Sequence, residues 1–308
     1  MSGGWCICGT VPDEHFPLVQ ARWRLDGARL VCGDANVPHL SVARGTPALM
    51  GACLAVCQHL GLDAPQALLV GDTGTGSGSR ALYAHLAATA GTSRFDGIIF
   101  HYLFPDVDGH NRVLMALEDC SPRPTLIADA GFMYVAKMSG YAASYDLFTP
   151  DVGELAFLAD ETAPHPFYTR GFLLAEDNDI PQLVARAYGA GNAARHLLVK
   201  GSTDHVYGDG TLLASVTEPC VPALEPIGGT GDIVAGLVTA LALAGHALPQ
   251  ACRMAAQAAR LAGQMANPTP ATQVSDIVPH LGAAVARVMS GEWISPDCPG
   301  CTETPVSP

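Results

Sequence analysis

The spacing of apolar residues along the chain predicts strands and helices that follow one another in turn. Short and almost wholly apolar runs predict strands that are buried on both faces of a sheet. These runs lie at 67–71, 97–103, 125–130, 145–150 and 195–201. Apolar residues three and four positions apart predict amphipathic helices. These helices lie at 47–60, 81–90, 111–119, 180–188, 249–265 and 274–289. Such alternation is typical of a largely parallel sheet with helices on both faces, so we expect an α/β fold.

The same pattern predicts the limits of the domain. Residues 1–45 give no clear prediction beyond a short strand near 29–33, and 163–175 read as a loop. Short strands around 202–207 and a turn at 208–210 predict an antiparallel edge. We expect one domain over 1–290, followed by a tail at 291–308 that contains proline and cysteine.

Charge narrows the range of partners. The chain has 16 Lys and Arg against 29 Asp and Glu, a formal net charge of −13. This argues against a broad surface for nucleic acid or for an anionic membrane. One small anion, held by backbone amides and a lysine, is still compatible with it. No apolar run is long enough to span a bilayer, and residues 1–6 lack the features of a signal peptide. We therefore expect a cytoplasmic protein that binds a small molecule, and a homo-oligomer is compatible with the sequence.

Nine of the ten cysteines fall into two groups. One group lies in or beside apolar stretches and is predicted to be buried: Cys32, Cys53, Cys57, Cys220 and Cys252. The other lies near the two ends of the chain: Cys6, Cys8, Cys298 and Cys301. These four could form a thiolate metal site or a redox pair. Because one CxxC motif is weak evidence by itself, we favour two flexible tails with incidental thiols.

A glycine-rich turn at 228–232, with the sequence GGTGD, is the strongest chemical motif. It precedes an apolar helical pattern, and we expect the helix to start at Asp232. A helix amino terminus leaves N–H groups unpaired, and glycines let an anion approach them. Asp232 could then accept a proton from a hydroxyl while the amides hold a phosphoryl oxygen. The alternative is a plain glycine turn with Asp232 as a helix-capping acid.

A second glycine loop, at 72–80, follows the strand 67–71 and precedes a helix. Strand, glycine loop and helix is an arrangement that binds phosphate. The loop lacks both the Walker pattern and the full dinucleotide fingerprint. Its Gly74 and Gly76 are candidate substrate contacts, and the alternative is a flexible surface turn.

Four segments in a fixed order bring a known family into view. They are 127–130 (IADA), 148–154 (FTPDVGE), 198–203 (LVKGST) and 228–236 (GGTGDIVAG). Together they resemble the ribokinase-like superfamily, and within it the ATP- or ADP-dependent NAD(P)H-hydrate dehydratases. The last segment matches the family's Gly-Gly-Thr/Ser-Gly-Asp-Val-Leu-Ala-Gly almost residue for residue. The resemblance covers roughly 45–285.

The resemblance implies a three-layer α/β/α fold and a set of site residues. Asp232 would be the catalytic base, with Gly229, Thr230 and Gly231 as the anion hole. Lys200 would lie near the phosphates of ATP or ADP, next to the nucleotide-binding turn of Gly201, Ser202 and Thr203. Asp151 and Glu154 would lie near hydrated Mg²⁺, and the strand-end Asp129 is a candidate substrate contact.

Each of these assignments has a structural alternative. Asp151 and Glu154 have the spacing of a helix capping box. Lys200 could be an ordinary lysine at a strand end, and Asp129 could only cap a helix. Taken singly, several residues favour the structural alternative, and it is their joint order that favours a site.

The chain departs from the family on the substrate side. The family's Thr-Pro-His-Pro-Gly-Glu histidine is Asp151 here, and its Gly-Pro-Gly-Leu-Gly turn is replaced by 102–108. The resemblance therefore implies a retained nucleotide half and an altered substrate half. It favours repair of hydrated NADH or NADPH, in which phosphorylation of the hydrate hydroxyl is followed by loss of phosphate. The alternatives are an ATP-dependent kinase for a sugar or vitamin-type molecule, and a non-catalytic nucleotide-binding regulator. The intact Asp232 argues against the regulator.

Overall fold

The computed structural model describes residues 4–162 and 179–292 and shows one mixed sheet between two layers of helices. The strands are β1 (Gly4–Val11), β2 (Val19–Asp26), β3 (Arg29–Cys32), β4 (Leu40–Ser41), β5 (Gln66–Gly71), β6 (Phe95–His101), β7 (Thr125–Asp129), β8 (Leu147–Phe148), β9 (His196–Val199), β10 (Asp204–Gly208) and β11 (Thr211–Val216). The helices are α1 (Thr46–Leu60), α2 (Ser77–Thr89), α3 (Val107–Glu118), α4 (Gly131–Met138), α5 (Val152–Ala159), α6 (Ile180–Gly189), α7 (Thr230–Leu243), α8 (Leu248–Met265), α9 (Val274–Ile277) and α10 (Leu281–Met289).

The sheet has a parallel centre and antiparallel edges. Its order within the described residues is β11-β10-β9-β8-β7-β6-β1-β5-β2-β3-β4. The strands from β9 to β5 in this order are parallel, whereas β10 and β11 on one side and β2 to β4 on the other are antiparallel. The predicted parallel sheet and the predicted antiparallel edge after 201 are both confirmed. All strands of the parallel centre end at the same edge of the sheet.

Two apolar cores cover the two faces of this sheet. One core joins the sheet to α1, α7, α8, α9 and α10, and the other joins it to α2, α3, α4, α5 and α6. Side chains of a strand point alternately to opposite faces, and β1 follows this rule, since Ile7 lies in the first core and Cys6 and Cys8 lie in the second. The predicted three-layer α/β/α class is confirmed.

The structure corrects the prediction for the amino-terminal cysteines. Cys6 and Cys8 are not in a tail, because they lie fully buried on β1, the strand between β5 and β6. Their sulfur atoms are 3.7 Å apart. Of the cysteines predicted to be buried, Cys220 is exposed and Cys32 is partly exposed. Residues 293–308, with Cys298 and Cys301, lie outside the described residues, as does the predicted loop at 163–175.

Several element boundaries also differ from the predictions. The predicted helix 274–289 is divided into α9, a 3₁₀ turn at Val278–His280 and α10. Pro279 explains this break, because proline has no N–H to donate within a helix. Helix α7 starts at Thr230, two residues before the predicted start, and α4 was not predicted at all.

Gly236 lets α7 pack directly against α1. A Cβ atom at this position would lie 2.2 Å from the carbonyl oxygen of Leu49 and 2.9 Å from the Cβ of Ala52, both in α1. No larger residue fits without moving a helix backbone. The glycine at the end of the 228–236 motif therefore sets the distance between the two helices.

Gly229 has a separate role at the start of α7. It is the N-cap residue and has φ 99° and ψ −4°, in the left-handed region that disfavours side chains. A Cβ atom there would also lie 3.0 Å from the carbonyl oxygen of Ala43 and from Cγ2 of Val274. This left-handed conformation lets the chain turn into α7 at Thr230.

No helix within the described parts of the chain combines the length and the apolar character that a membrane span requires.

We expect Gly236→Ala to destabilise the fold by about 1–3 kcal/mol, the usual cost of overpacking a core. The matched control is Gly189→Ala near the end of α6, where an added Cβ would meet nothing within 4 Å. Urea unfolding of both variants measures the difference. Equal unfolding midpoints for the two would show that α1 and α7 are not held at contact distance by this glycine.

We expect Gly229→Ala to cost about 1–3 kcal/mol, because it places a side chain in the left-handed region. Gly228→Ala is the control, since its Cβ would only reach Cδ of Arg44 at 3.9 Å. Thermal unfolding of both variants is the measurement. A Gly228→Ala variant as unstable as Gly229→Ala would contradict this account of the turn.

Candidate active site

Four polar side chains converge where the parallel strands end. His101 is the last residue of β6, Asp129 is the last residue of β7, and Lys200 directly follows β9. Asp232 lies in the first turn of α7. Parallel strands bring such residues to one edge of a sheet, although His101 and Asp232 are 131 positions apart in the chain. Three of the four were predicted as site residues, and His101 was not.

Both carboxylate oxygens of Asp232 are held by hydrogen bonds. Oδ2 accepts a bond of 2.6 Å from the backbone N–H of Gly45, the residue before α1. Oδ1 lies 3.1 Å from Nε2 of His101, which must donate because a carboxylate only accepts. On the other side of the ring, Nδ1 of His101 lies 3.0 Å from Oγ1 of Thr46. Asp232 is 8% exposed and His101 is fully buried, so the carboxylate has a fixed orientation.

Asp129 pairs with the lysine of the site. Its Oδ1 accepts a hydrogen bond of 2.9 Å from Nζ of Lys200. Its Oδ2 lies 3.6 Å from Nε2 of His101 and finds no hydrogen-bond donor among residues 4–162 and 179–292. Asp129 is 1% exposed. A buried carboxylate is costly unless it is paired, so Asp129 depends on Lys200.

The surroundings set the charge of these groups. Burial opposes ionisation of Asp232, but the hydrogen bond and charge of His101, the Gly45 amide and Lys200 outweigh it and lower the pKa of the carboxyl. Burial also opposes a charge on Lys200, but the carboxylates of Asp129 and Glu154 outweigh it and raise the pKa of the ammonium. Asp232 is therefore anionic and Lys200 is cationic at neutral pH.

Lys200 and the start of α7 face the same space. A Cβ atom on Gly231 would lie 3.5 Å from Nζ of Lys200, so the ammonium lies against the first turn of the helix. Thr230 uses its hydroxyl within the turn, where it donates to the carbonyl oxygen of Ile227 at 3.2 Å. Unpaired N–H groups, the positive end of the helix dipole and an ammonium together favour an anion.

Asp151 and Glu154 form the predicted capping box at the start of α5. Oδ1 of Asp151 accepts from the amide of Glu154 at 2.7 Å, and Oε2 of Glu154 accepts from the amide of Asp151 at 2.9 Å. Lys200 is the backbone neighbour of Asp151 across the sheet. Burial, and then the carboxylates of Asp151 and Asp129, raise the pKa of Glu154 to about 8, against the opposing charge of Lys200. Asp151 and Glu154 thus form the helix capping box that was the alternative to a metal-binding role. The capping box also lies close enough to Asp129 and Lys200 for their charges to affect Glu154.

The turn of Gly201, Ser202 and Thr203 is held by a residue that sequence reasoning missed. Arg260 of α8 donates to the carbonyl oxygens of Gly201 and Ser202 and pairs with Asp204 at 2.8 Å. Asp204 in turn accepts from the amide of Gly201. No sequence motif marked Arg260, because its partners come from a distant hairpin.

The loop that contains Gly74 and Gly76 is already occupied by a carboxylate of the chain. Asp72 Oδ1 accepts from the amides of Gly74 and Gly76, and Oδ2 accepts from the amide and the hydroxyl of Ser79. Burial opposes ionisation of Asp72, yet these bonds outweigh it and lower the pKa of its carboxyl. The loop is an internally capped helix start, since these amides point at Asp72 and not outward at an external phosphate.

Tyr102 is a further residue that the sequence analysis did not single out. It has φ 55°, a strained conformation for an aromatic residue, and it is 51% exposed. Its ring stands nearly perpendicular to that of His101, with centroids 4.6 Å apart. Burial, and then the carboxylates of Asp232 and Asp129, raise the pKa of Tyr102 to about 12. Tyr102 therefore covers His101 at the mouth of the site and stays neutral there.

A cleft of about 150 Å³ adjoins the 228–232 turn. It is lined by Pro226, Ile227, Gly228, Thr269, Pro270, Thr272 and Gln273. The cleft therefore reaches the turn at Gly228, four residues before Asp232.

No protein-family model matches the chain, but solved structures share its fold. Pyridoxal kinase from Staphylococcus aureus in complex with AMP-PCP and pyridoxal has a TM-score of 0.51 and 14% identity, over 84% of this chain and 87% of the kinase. Phosphofructokinase-2 from Escherichia coli in complex with potassium has a TM-score of 0.52 and 12% identity, over 93% and 100%. Its tetrameric inhibited form has a TM-score of 0.53 and 11% identity, over 91% and 99%. At these identities the likeness concerns the fold, and the expected ribokinase-like fold is confirmed.

A curated protein is similar in sequence as well. The uncharacterized protein MJ1337 of Methanocaldococcus jannaschii is 33% identical over 242 residues, which is 78% of this chain and the whole length of that protein. With this identity over the whole length of that protein, the chain belongs to the family of MJ1337.

Proposed function

We propose that the chain is a nucleotide-dependent phosphotransferase that acts on a hydroxyl group of a small molecule. The observation that carries this proposal is the fixed Asp232 carboxylate beside the ammonium of Lys200 at the amino terminus of α7. A proton acceptor and an anion site next to each other are what transfer of a phosphoryl group to a hydroxyl requires.

In this proposal the phosphates of ATP or ADP lie against the turn of Gly229, Thr230 and Gly231. The N–H groups at the start of α7 and Nζ of Lys200 stabilise the charge of the transferring group. The nucleoside part extends past the turn into the cleft beside Gly228. The turn held by Arg260 borders the same region through Gly201 and Ser202.

Mg²⁺ is the metal that a ribokinase-like fold and a nucleotide imply. Asp151 and Glu154 fit it, because carboxylate oxygens carry two lone pairs each and the capping box leaves acceptor capacity for magnesium-bound water. Burial and the carboxylates of Asp151 and Asp129 raise the pKa of Glu154, and the charge of a bound Mg²⁺ would lower it again. When bound, Mg²⁺ would neutralise phosphate charge.

Asp232 receives the proton of the attacking hydroxyl in this proposal. Its lowered pKa keeps it ionised, so the lone pairs needed for acceptance are available at neutral pH. The bonds from Gly45 and His101 hold it in place, so the hydroxyl is oriented before transfer. Orientation is the larger part of catalysis in phosphoryl transfer.

The kinase interpretation is favoured over the hydrate dehydratase. The structural neighbours named above are a pyridoxal kinase and a phosphofructokinase, whereas the dehydratase interpretation rests on sequence segments, of which 228–236 is the most specific. Both share transfer of phosphate to a hydroxyl and differ in whether the product keeps it. Asp232 and Lys200 are both ionised and held in place by hydrogen bonds, which argues against a regulator without catalysis.

A homo-oligomer stays a prediction for this chain. The phosphofructokinase named above has a tetrameric form.

Mass spectrometry after incubation with nucleotide, magnesium and a panel of hydroxylated small molecules, including hydrated NADH, tests the proposal. We expect a product that retains the phosphate. Regeneration of NADH from its hydrate, only when nucleotide is present, would instead identify the dehydratase. A lack of any nucleotide-dependent product over a broad panel would favour the regulator.

Asp232→Asn should lower turnover by roughly a hundredfold or more, because the amide keeps the shape and cannot accept the proton. Nucleotide affinity should stay the same, since Asp232 does not hold the phosphates. Turnover is measured as nucleotide consumption with the substrate found in the panel, and affinity is measured by calorimetry. Full activity in Asp232→Asn would remove the proposed base from both enzyme interpretations.

Lys200→Ala should weaken nucleotide binding by about tenfold or more, because a hydrogen bond to a charged group contributes about 1.5–3 kcal/mol. The control is Arg112→Ala, which removes a positive charge from the exposed face of α3, where Arg112 pairs with Asp108. Calorimetry with ATP and with ADP gives the affinities, and circular dichroism verifies folding. Equal losses in the two variants would point to net charge and not to a phosphate contact.

A further inference from the structure

We infer that His101, Asp129 and Asp232 form a binding site for one divalent transition-metal ion of the Zn²⁺ class. The site itself goes beyond the proposed function. Its consequence for turnover rests on the proposed function, because the ion would occupy the carboxylate that accepts the proton.

The distances between the three side chains suit a shared ion. Nε2 of His101 lies 3.1 Å from Oδ1 of Asp232 and 3.6 Å from Oδ2 of Asp129. One ligand atom from each residue lies within 4.8 Å of the other two. Ligands bound at about 2.0–2.2 Å to one ion in tetrahedral or octahedral geometry are about 3–3.5 Å apart. The two distances to His101 already fit this range closely, and the two carboxylate oxygens, which lie within 4.8 Å of each other, would approach each other when an ion binds.

The unpartnered oxygen of Asp129 is the observation that calls for a ligand. Its Oδ2 is buried, points toward Nε2 of His101 and has no hydrogen-bond donor anywhere in 4–162 or 179–292. The proton on Nε2 already serves Asp232. Metal binding releases this proton to solvent, because a ring nitrogen binds a metal only when deprotonated, and the neutral ring then carries its proton on Nδ1 beside Thr46. A buried polar atom without a partner is costly, and a cation between the three ligand atoms would satisfy this oxygen.

Each ligand is also held from behind by an outer partner. The other ring nitrogen of His101 lies against the Thr46 hydroxyl, the other oxygen of Asp232 accepts from the Gly45 amide, and the other oxygen of Asp129 accepts from Lys200. Such outer contacts orient metal ligands and tune their basicity. All three ligand atoms that face inward are thus presented in fixed directions.

The donor set indicates the class of ion. One imidazole and two carboxylates suit Zn²⁺, Mn²⁺, Fe²⁺ or Co²⁺, whereas Mg²⁺ prefers oxygen ligands alone. Two carboxylates balance the charge of a divalent ion, and Lys200 already pairs with the outer oxygen of Asp129. Three protein ligands leave a coordination position open.

Occupancy of the site and proton acceptance exclude each other. A metal bound at Oδ1 of Asp232 would take the lone pair next to His101, and its charge would suppress protonation of the carboxylate. A bound transition metal should therefore inhibit the phosphotransferase, and removal of the ion by a chelator, followed by return of Mg²⁺, should restore activity.

The experiment uses the full chain stripped with EDTA, without nucleotide or substrate. Titration with Co²⁺ should give a visible ligand-field band that saturates at one ion per chain, and Zn²⁺ should displace it. Thr46→Val keeps all three ligands and should weaken metal affinity about 10–100-fold, the usual effect of losing an outer partner. His101→Asn should abolish the band, with circular dichroism as the check on folding.

Cysteines are the competing metal ligands and need their own control. A Cys298→Ser/Cys301→Ser variant should bind Co²⁺ like the unmodified chain, without a thiolate charge-transfer band in either protein. The inference is overturned by an absent ligand-field band, by a band that His101→Asn and Thr46→Val leave unchanged, or by a thiolate band that the serine variant loses.

Inhibition is measured separately, with buffered Zn²⁺ and a substrate from the panel. Thr46→Val should need about 10–100-fold more free Zn²⁺ for the same inhibition. Because metal binding is measured without nucleotide, its absence would overturn the metal site and leave the phosphotransferase proposal intact. A chain that binds the metal but gives no nucleotide-dependent product would support the metal site and contradict the phosphotransferase proposal.

Discussion

The hydrogen bonds that hold the Asp232 carboxylate join three separate parts of the fold. Its two oxygens connect the start of α7 with the backbone before α1 and with the end of β6. This is possible only because Gly236 lets α7 lie against α1, with no room for a Cβ beside Leu49. The close packing of α7 on α1 therefore also determines where α7 begins and how the Asp232 carboxylate is oriented.

Charge balance is the second constraint on this region. Asp129, Asp232 and Glu154 bring three carboxylates to an edge of the sheet where Lys200 is close to all of them. The negative charges of Asp129 and Asp232 are balanced by different partners. Lys200 pairs with Asp129, whereas His101 and the Gly45 amide serve Asp232. Oδ2 of Asp129 stays without a hydrogen-bond donor, and the pKa of Glu154 stays raised. Both features would favour an additional positive charge, either Mg²⁺ bound with phosphates or a buried metal ion.

Much of the fold followed from local pattern. Strands β5, β6, β7 and β9 and helices α1, α6 and α8 were predicted within a few residues, because fully apolar runs and helical spacing are local signals. Helix α4 and the break at Pro279 were missed, and the central strand β1 was taken for a tail. In β1 the run from Trp5 to Val11 is apolar enough to be a strand, but its two cysteines suggested another chemistry.

The sequence by itself determined the α/β class and the turn before α7, because these follow from local patterns. The family resemblance marked Asp232, Lys200 and Asp129 as candidates for one site. Only the tertiary structure decided that His101, Thr46 and Gly45 hold Asp232, that Arg260 holds the 201–203 turn, and that Asp72 occupies the second glycine loop. The physical reason is that side-chain hydrogen bonds depend on which strand and helix ends become neighbours. That adjacency is a property of the packed sheet, and no local stretch of the chain contains it.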